Sequence, residues 1–201
     1  MYKLLSRELQ AGEKPVVVVG LGDTGLSCAR LLHRQGIVFS VMDNRDLPPG
    51  LAQLRAEMPE VETFLGKFDV DVLLAAQRLL VSPGVSLEEP ELLQAGAAGI
   101  EIAGDMDLFC ELAEAPVVAI TGSNAKSTVT DLLGVMAQAS GRSVGVGGNL
   151  GIPALELLNP EIDLYVIEMS SFQLERAGAL NIDMAVLLNL SDDHIDRHGN
   201  L

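Results

Sequence analysis

Residues 16–25 read Val-Val-Val-Val-Gly-Leu-Gly-Asp-Thr-Gly, four β-branched residues running straight into a glycine cluster. A short apolar run bounded by glycine has the pattern of a fully buried strand. Gly20, Gly22 and Gly25 are spaced G-x-G-x-x-G, and beyond them Leu26, Ala29, Leu32 and His33 recur at helical spacing up to Gly36 in the C-cap position. Residues 37–42 read as a second strand, with Asp43 at its end, 18 positions after Gly25. That order predicts a βαβ unit whose glycine turn admits a diphosphate and whose acid reaches a ribose hydroxyl. Arg45, two residues on, suits a phosphate or a base. On the residues alone the fingerprint is compatible with an NAD-dependent oxidoreductase, a non-catalytic nucleotide-binding module, or a turn without a ligand.

The alternation continues outward from this unit. Helices are expected over 51–58, 70–76 and 88–98, and strands over 61–64, 79–81 and 100–102. The pattern then restarts with a connecting helix over 104–114, a strand over 116–120, a polar loop over 121–128 and a helix over 127–140. Buried strands follow over 164–167 and 184–188, while 145–151 reads as a small-residue loop. Alternating strands and helices predict parallel sheets covered on both faces. The fold class expected is α/β, with a Rossmann-like parallel-sheet domain over 1–103 followed by an incomplete phosphate-loop α/β domain over 104–201.

Composition narrows the functions available. Thirteen Lys and Arg against 28 Asp and Glu leave a net charge of −15 over 201 residues, which excludes nucleic-acid binding by an even basic field. Anions can still be held locally by N–H groups at a helix N-terminus. Cys28 and Cys110 have neither a metal nor a redox spacing, which fits a reducing compartment. The apolar runs are strand-length, far below the ~20 residues that span a bilayer. A cytoplasmic protein without membrane insertion is expected.

The second unit carries the stronger chemical signal. Thr121-Gly-Ser-Asn-Ala-Lys-Ser-Thr128 follows a strand and opens a helix, the context of a phosphate-cradling loop. Backbone N–H groups of Gly122, Ser123, Asn124 and Ala125 would meet phosphates, Lys126 would reach the terminal ones, and Ser127 or Thr128 could meet Mg²⁺. The loop is shorter than G-x-x-x-x-G-K-[ST], and alanine at 125 requires a negative φ there. Glu168 closes the strand over 164–167, at the edge where α/β sheets bind ligands, and suits a divalent cation. Asp192, Asp193, His194 and Asp196 follow the next strand toward the same edge. Asn149 lies in the small-residue loop, within reach of substrate oxygens or a metal shell. His33 reads as structural, and His198 is open.

Taken together, these segments resemble the ATP-dependent Mur ligases of peptidoglycan synthesis. The resemblance runs through Gly20–Ser27, Met42-Asp-Asn-Arg45, Val81-Ser-Pro-Gly84, Thr121–Thr128, Gly147-Gly-Asn-Leu-Gly151, Glu168-Met-Ser-Ser-Phe-Gln-Leu-Glu175 and Asp193-His-Ile-Asp-Arg197. The Ser-Ser-Phe-Gln-Leu-Glu run is the most specific, and points to the branch adding D-glutamate to UDP-N-acetylmuramoyl-L-alanine. The resemblance implies that the glycine fingerprint receives UDP, with Asp23, Thr24, Asp43, Asn44, Arg45 and Gly84 around it. It further implies ATP on residues 122–128, Mg²⁺ on Ser127, Glu168 and His194, catalytic roles for Lys126 and His194, and substrate positioning by Asn149 and Ser170. A two-step reaction through an acyl phosphate, carried out by a monomer, is implied as well. Ala125 replaces the family's usual glycine. The last lysine is Lys126, so the modified lysine the family carries after the His194 motif has no counterpart. The chain is therefore expected to be truncated, to bind the UDP-linked substrate and to turn over poorly.

Overall fold

The computed structural model describes residues 15–192. The first sheet contains β1 (Val16–Val19), β2 (Phe39–Asp43), β3 (Glu62–Leu65), β4 (Arg78–Val81) and β5 (Glu101–Ala103), all parallel, in the order β3-β2-β1-β4-β5. β1 is buried along its whole length, because helices cover both faces of a parallel sheet and leave no solvent side for polar residues. Helix α1 (Asp23–Arg34) follows the glycine turn, with Gly22 as N-cap. Asp23 in its first turn and His33 and Arg34 in its last complement the helix dipole. Helices α2 (Leu51–Glu57), α3 (Val70–Ala75) and α4 (Pro90–Ala97) make the remaining crossovers. Asp69 caps α3 by accepting the Asp71 N–H at 3.1 Å, and Pro90 opens α4 where its missing N–H is harmless.

Helix α5 (Asp105–Leu112) leads from β5 into the second sheet. That sheet contains β6 (Val117–Thr121), β7 (Val144–Gly148), β8 (Leu164–Glu168) and β9 (Met184–Leu187), again parallel, in the order β7-β8-β6-β9. Its helices are α6 (Lys126–Ala139), α7 (Ala154–Leu157) and α8 (Ser171–Arg176). Register sets Ile120 of β6 opposite Glu168 of β8 and Thr121 opposite Leu187 of β9. Strand order reverses beside β1 in the first sheet and beside β6 in the second. Ligands of open parallel sheets bind at such reversals, outside the strands' carboxyl ends.

The expectation of a loop over 145–151 is corrected, since Val144–Gly148 forms the edge strand β7. Glycine disfavours a strand through its backbone freedom, but here each glycine has a packing cause. A Cβ on Gly145 would lie 2.8 Å from Tyr165 Cδ1, and one on Gly147 would lie 2.3 Å from the Ile152 carbonyl oxygen. The short helices α7 and α8 are additions to the elements read from the sequence.

The largest core cluster is shared by the two sheets. Leu26, Ala29 and Leu32 of α1 meet Leu108, Phe109 and Leu112 of α5, together with Ala154, Leu155 and Tyr165. Phe109 meets Tyr165 edge-on, with ring centroids 5.1 Å apart at 84°, a geometry the ring quadrupoles favour. Outside it, Arg30 pairs with Glu57 at 2.6 Å and Arg34 with Glu156 at 3.2 Å, joining α1 to α2 and α7. His33 makes a surface contact with Glu60 at 3.3 Å. Among the described residues, no helix is long and apolar enough to cross a membrane.

Candidate functional site

The first site grows from the glycine turn. Gly20 leaves β1 at φ +90°, and a Cβ there would stand 2.7 Å from Val85 Cγ2. A Cβ on Gly25 would stand 1.9 Å from the Gly20 carbonyl oxygen, so no side chain fits. Gly22 is different, because nothing lies within 4 Å of the point its Cβ would occupy. It opens on a cavity of about 330 Å³ at the carboxyl ends of β1, β2 and β4. Asp23, Thr24, Asp43, Asn44, Arg45, Ser82 and Gly84 line the same cavity. The structure thus gathers all six residues expected around a UDP group. The N-terminus of the 12-residue α1 faces this space, and its N–H groups suit a diphosphate.

Asp43 is buried, and its two oxygens are engaged within the protein. Oδ2 accepts the Leu21 N–H at 2.7 Å and Arg45 Nη2 at 2.7 Å. Oδ1 accepts the Arg45 N–H at 2.9 Å and Nε at 2.8 Å. Burial pushes this carboxyl's pKa up, but the Arg45 guanidinium and the two backbone N–H groups together outweigh it and leave the value lowered. Asp43 therefore holds the glycine turn and aims Arg45, whose half-exposed guanidinium lies at the cavity edge.

The second site grows from the end of β6. The chain leaves at Gly122 (φ +145°) and enters α6 through Ala125, at φ +67° and ψ +8°. Ala125 is the single non-glycine residue of positive φ among those described, which corrects the expectation of a negative φ. The residue before it is held from the neighbouring strand's end. Asn189 Oδ1 accepts the Asn124 N–H at 2.8 Å while its Nδ2 donates to the Asn124 carbonyl at 3.0 Å. Asn124 is gripped on both sides of its backbone, and the turn into the helix falls on the next residue. Ser191 adds to the latch, its N–H donating to Ser123 Oγ at 2.9 Å and its carbonyl accepting from that hydroxyl at 3.1 Å. Asn189 and Ser191 were missed in reading the sequence. Their signal is their place, directly after β9 at the sheet's carboxyl edge; β9 itself corrects the expectation of a buried strand over 184–188, since it ends the sheet order among the described residues and three of its four residues are exposed.

Lys126 opens α6 and turns its ammonium back over the loop, donating to the Gly122 carbonyl at 2.7 Å and the Ser123 carbonyl at 3.2 Å. Ser127 is half-buried and Thr128 exposed on the same first turn. Glu168, 2% exposed, ends β8 beside this loop. Asn149 Nδ2 donates to its Oε1 at 2.9 Å, and the Asn149 N–H donates to its carbonyl at 2.9 Å. The structure therefore brings Asn149 and Glu168 together, across 19 positions of sequence. Ser170 caps α8: its Oγ accepts the Gln173 N–H at 3.2 Å while Gln173 Oε1 accepts the Ser170 N–H at 3.1 Å.

Carboxylate and hydroxyl oxygens at a helix N-terminus are the donors a hard divalent cation takes, and Glu168 with Ser127 fits that chemistry. Among the described residues, no group of three His, Cys, Asp and Glu side chains forms a metal cage. Asp193, His194, Asp196 and His198, and with them the expected third metal position, lie outside the described residues. Cys28 and Cys110 are both buried away from the sites, and burial pushes the Cys110 thiol up to about 11.

Two parallel sheets, each with a glycine-bearing turn after an inner strand that opens a helix, define an α/β protein whose two strand-order reversals have the geometry suited to phosphorylated ligands. Residues 14–104 match the Mur ligase MurD-like N-terminal domain, and residues 120–201 match the Mur ligase middle domain. The chain belongs to the Mur ligase family. It is 55% identical over 185 residues to the UDP-N-acetylmuramoylalanine–D-glutamate ligase of Pseudomonas aeruginosa, covering 92% of this chain and 41% of that protein. It is 52% identical over 197 residues to the same enzyme of Pseudomonas putida, covering 98% and 44%. The chain thus spans about two-fifths of the length of these curated relatives. Among solved structures, it resembles UDP-N-acetylmuramate-alanine ligase MurC of Thermotoga maritima (TM-score 0.57, 18% identity, 94% of this chain and 44% of that one). It also resembles the UDP-N-acetylmuramate:L-alanyl-gamma-D-glutamyl-meso-diaminopimelate ligase of Neisseria meningitides (TM-score 0.57, 21% identity, 92% and 63%). These two likenesses concern the fold.

Proposed function

We propose that this chain supplies the substrate-binding and ATP-binding parts of a cytoplasmic, monomeric ligase that joins D-glutamate to UDP-N-acetylmuramoyl-L-alanine in peptidoglycan precursor synthesis. Residues 1–103 take the UDP-linked substrate and residues 104–201 begin the ATP unit. The observation that carries the reading is the pairing, on adjoining sheets, of a diphosphate-sized cavity with a lysine-bearing phosphate loop. Relatives more than half identical across both regions bear the corresponding enzyme name.

In the first step the substrate carboxylate attacks the γ-phosphorus of ATP. A new O–P bond forms, the bond to the β,γ-bridging oxygen breaks, and ADP leaves. The amine of D-glutamate then attacks the acyl phosphate's carbonyl carbon, loses a proton, and expels phosphate. The protein's task is positioning and charge neutralisation, as phosphoryl transfer requires. Lys126 swings from its loop carbonyls to the terminal phosphates, and the N–H groups of residues 122–125 meet the others. Asn149, held by Glu168, and Ser170 face the carboxylate to be activated. Ser127, Glu168 and His194 would hold Mg²⁺, which neutralises phosphate charge when bound. Asp23, Thr24, Asn44, Arg45 and Gly84 surround the UDP group while Asp43 fixes Arg45. The stretch corresponding to two-fifths of the relatives binds the uridine-linked substrate and turns over poorly by itself.

Asp43 also bears on the oxidoreductase alternative. Its oxygens are engaged by Leu21 and Arg45, which weighs against ribose capture by a free carboxylate. Calorimetric titration with UDP-N-acetylmuramoyl-L-alanine and with NADH tests the choice. Saturable binding of the UDP compound, weakened in Arg45→Ala, with silence toward NADH supports the ligase. The reverse pattern sinks it.

A further inference from the structure

Helix α8 begins at the edge of the phosphate-loop site and ends at the wall of the uridine cavity. Its N-cap, Ser170, lies two residues past Glu168, and its last residue is Arg176, whose side chain is 0% exposed. The Arg176 guanidinium donates through Nη1 to the Phe172 carbonyl in its own helix and through Nη2 to the Val85 carbonyl. Val85 lines the uridine cavity, and its Cγ2 stands 2.7 Å from the Cβ position of Gly20. The stem of Arg176 lies over Gly104, with Cγ 3.3 Å from the Cβ position there.

Other contacts prevent this helix from drifting. Gln173, part of the Ser170 cap, donates through Nε2 to the buried Asp105 Oδ2 at 2.7 Å. Just past the helix, the Gly178 N–H donates to Asp107 Oδ1 at 2.9 Å, and Asp107 Oδ2 accepts the Gly104 N–H at 2.8 Å. Both ends of α8 are therefore tied to α5, the segment joining the two sheets. A buried guanidinium carries a large desolvation penalty, so an apolar side chain would serve plain packing as well or better. An arginine whose donors reach the opposite unit's cavity wall has a use that packing does not supply.

We infer that Arg176 is a positioning residue that couples the two sites. Whatever sets Glu168 to Ser170 at the phosphate loop sets, through α8 and the Arg176 guanidinium, the place of Val85 against the glycine turn. Occupation of either site then changes affinity at the other by the same factor. This rests on the assignment of the two sites under Proposed function.

The test titrates the full 201-residue chain with UDP-N-acetylmuramoyl-L-alanine, with and without saturating magnesium and a non-hydrolysable ATP analogue. The intact chain shows a change in substrate Kd of about fivefold or more between the two conditions, the lower range of known couplings. Arg176→Met keeps the stem and removes the donors, so substrate still binds but the ratio falls to about one, as an uncoupled pair requires. Arg176→Lys, retaining charge and a donor, restores part of it. Arg30→Ala removes a surface ion pair to Glu156 between the same two units and leaves the ratio unchanged. A ratio of one in the intact chain, or an equal ratio in Arg176→Met, overturns the coupling. If the intact chain binds neither ligand, the functional reading itself fails, and amide exchange of the unliganded chain decides the contact. Faster exchange at Ser82 and Val85 in Arg176→Met supports it; unchanged exchange there overturns it.

Discussion

Ala125→Gly should make this protein more stable, although it introduces glycine at the start of a helix. Ala125 is held at φ +67°, where an L-residue's Cβ crowds its own carbonyl oxygen. That conformation costs about 1–2 kcal/mol for a non-glycine residue. Glycine removes the crowding but gives the unfolded chain more freedom, which offsets about 0.4–1 kcal/mol. The centres of these ranges differ by about 0.8 kcal/mol of added stability, or roughly 2–3 °C in Tm for a chain of this size. The backbone has little freedom to escape the strain, because Asn189 holds Asn124 on one side and the Ala125 carbonyl accepts the Val129 N–H at 3.0 Å on the other. Urea unfolding, with thermal melts as a second measure, gives the readout. Asn189→Ala adds a sharper arm: once the latch is gone the turn can relax, so the glycine's gain should shrink in a double-mutant cycle. An unchanged or lowered urea midpoint in Ala125→Gly refutes the strain argument. A gain that is the same with and without Asn189 refutes the latch as its cause.

The two glycines of the first turn should separate cleanly. Gly25→Ala puts a Cβ 1.9 Å from a carbonyl oxygen, and loss of about 3 kcal/mol or more is expected in denaturant. Gly22→Ala, pointing into open cavity, should leave the midpoint nearly unchanged and weaken the UDP compound by about tenfold, roughly 1.4 kcal/mol, as read by calorimetry. Asp43 has a pKa below its ordinary 3.8 in the folded chain. Its stability contribution is therefore present above that value and is lost as pH falls through the lowered one. Asp43→Asn should flatten the acid limb of a urea-midpoint profile, and an unaltered limb would remove this carboxylate from the account. Lys126→Ala should abolish calorimetric binding of the ATP analogue while leaving binding of the UDP compound alone intact. Equal losses for both ligands would contradict the division of the two sites.

The parts of this fold that were legible in the sequence share a local cause. Val16–Val19 announces a buried strand because a parallel sheet leaves it no polar face, and a side chain at Gly25 is excluded by the carbonyl of Gly20, five positions before it. β7 was not legible for the opposite reason. Gly145 is required by the ring of Tyr165, 20 positions on, which only the folded chain brings against it. Helix α8 is six residues long, too short for periodicity to appear, although its capping pair Ser170 and Gln173 has the spacing of a helix start. At Ala125 the family's usual glycine is the local hint of a positive φ, while the grip of Asn189 on Asn124, across 65 positions, is visible only in the folded chain. Asp43 marks the boundary between the two kinds of knowledge. Its position at the end of β2 announces an acid beside the glycine turn, and the structure places it there. Which group takes its oxygens is a separate question, answered by the Leu21 N–H and the Arg45 guanidinium. A motif thus specifies which chemistry gathers at a sheet edge. The hydrogen-bond inventory of the folded neighbourhood decides whether each group faces a ligand or braces a neighbour that does.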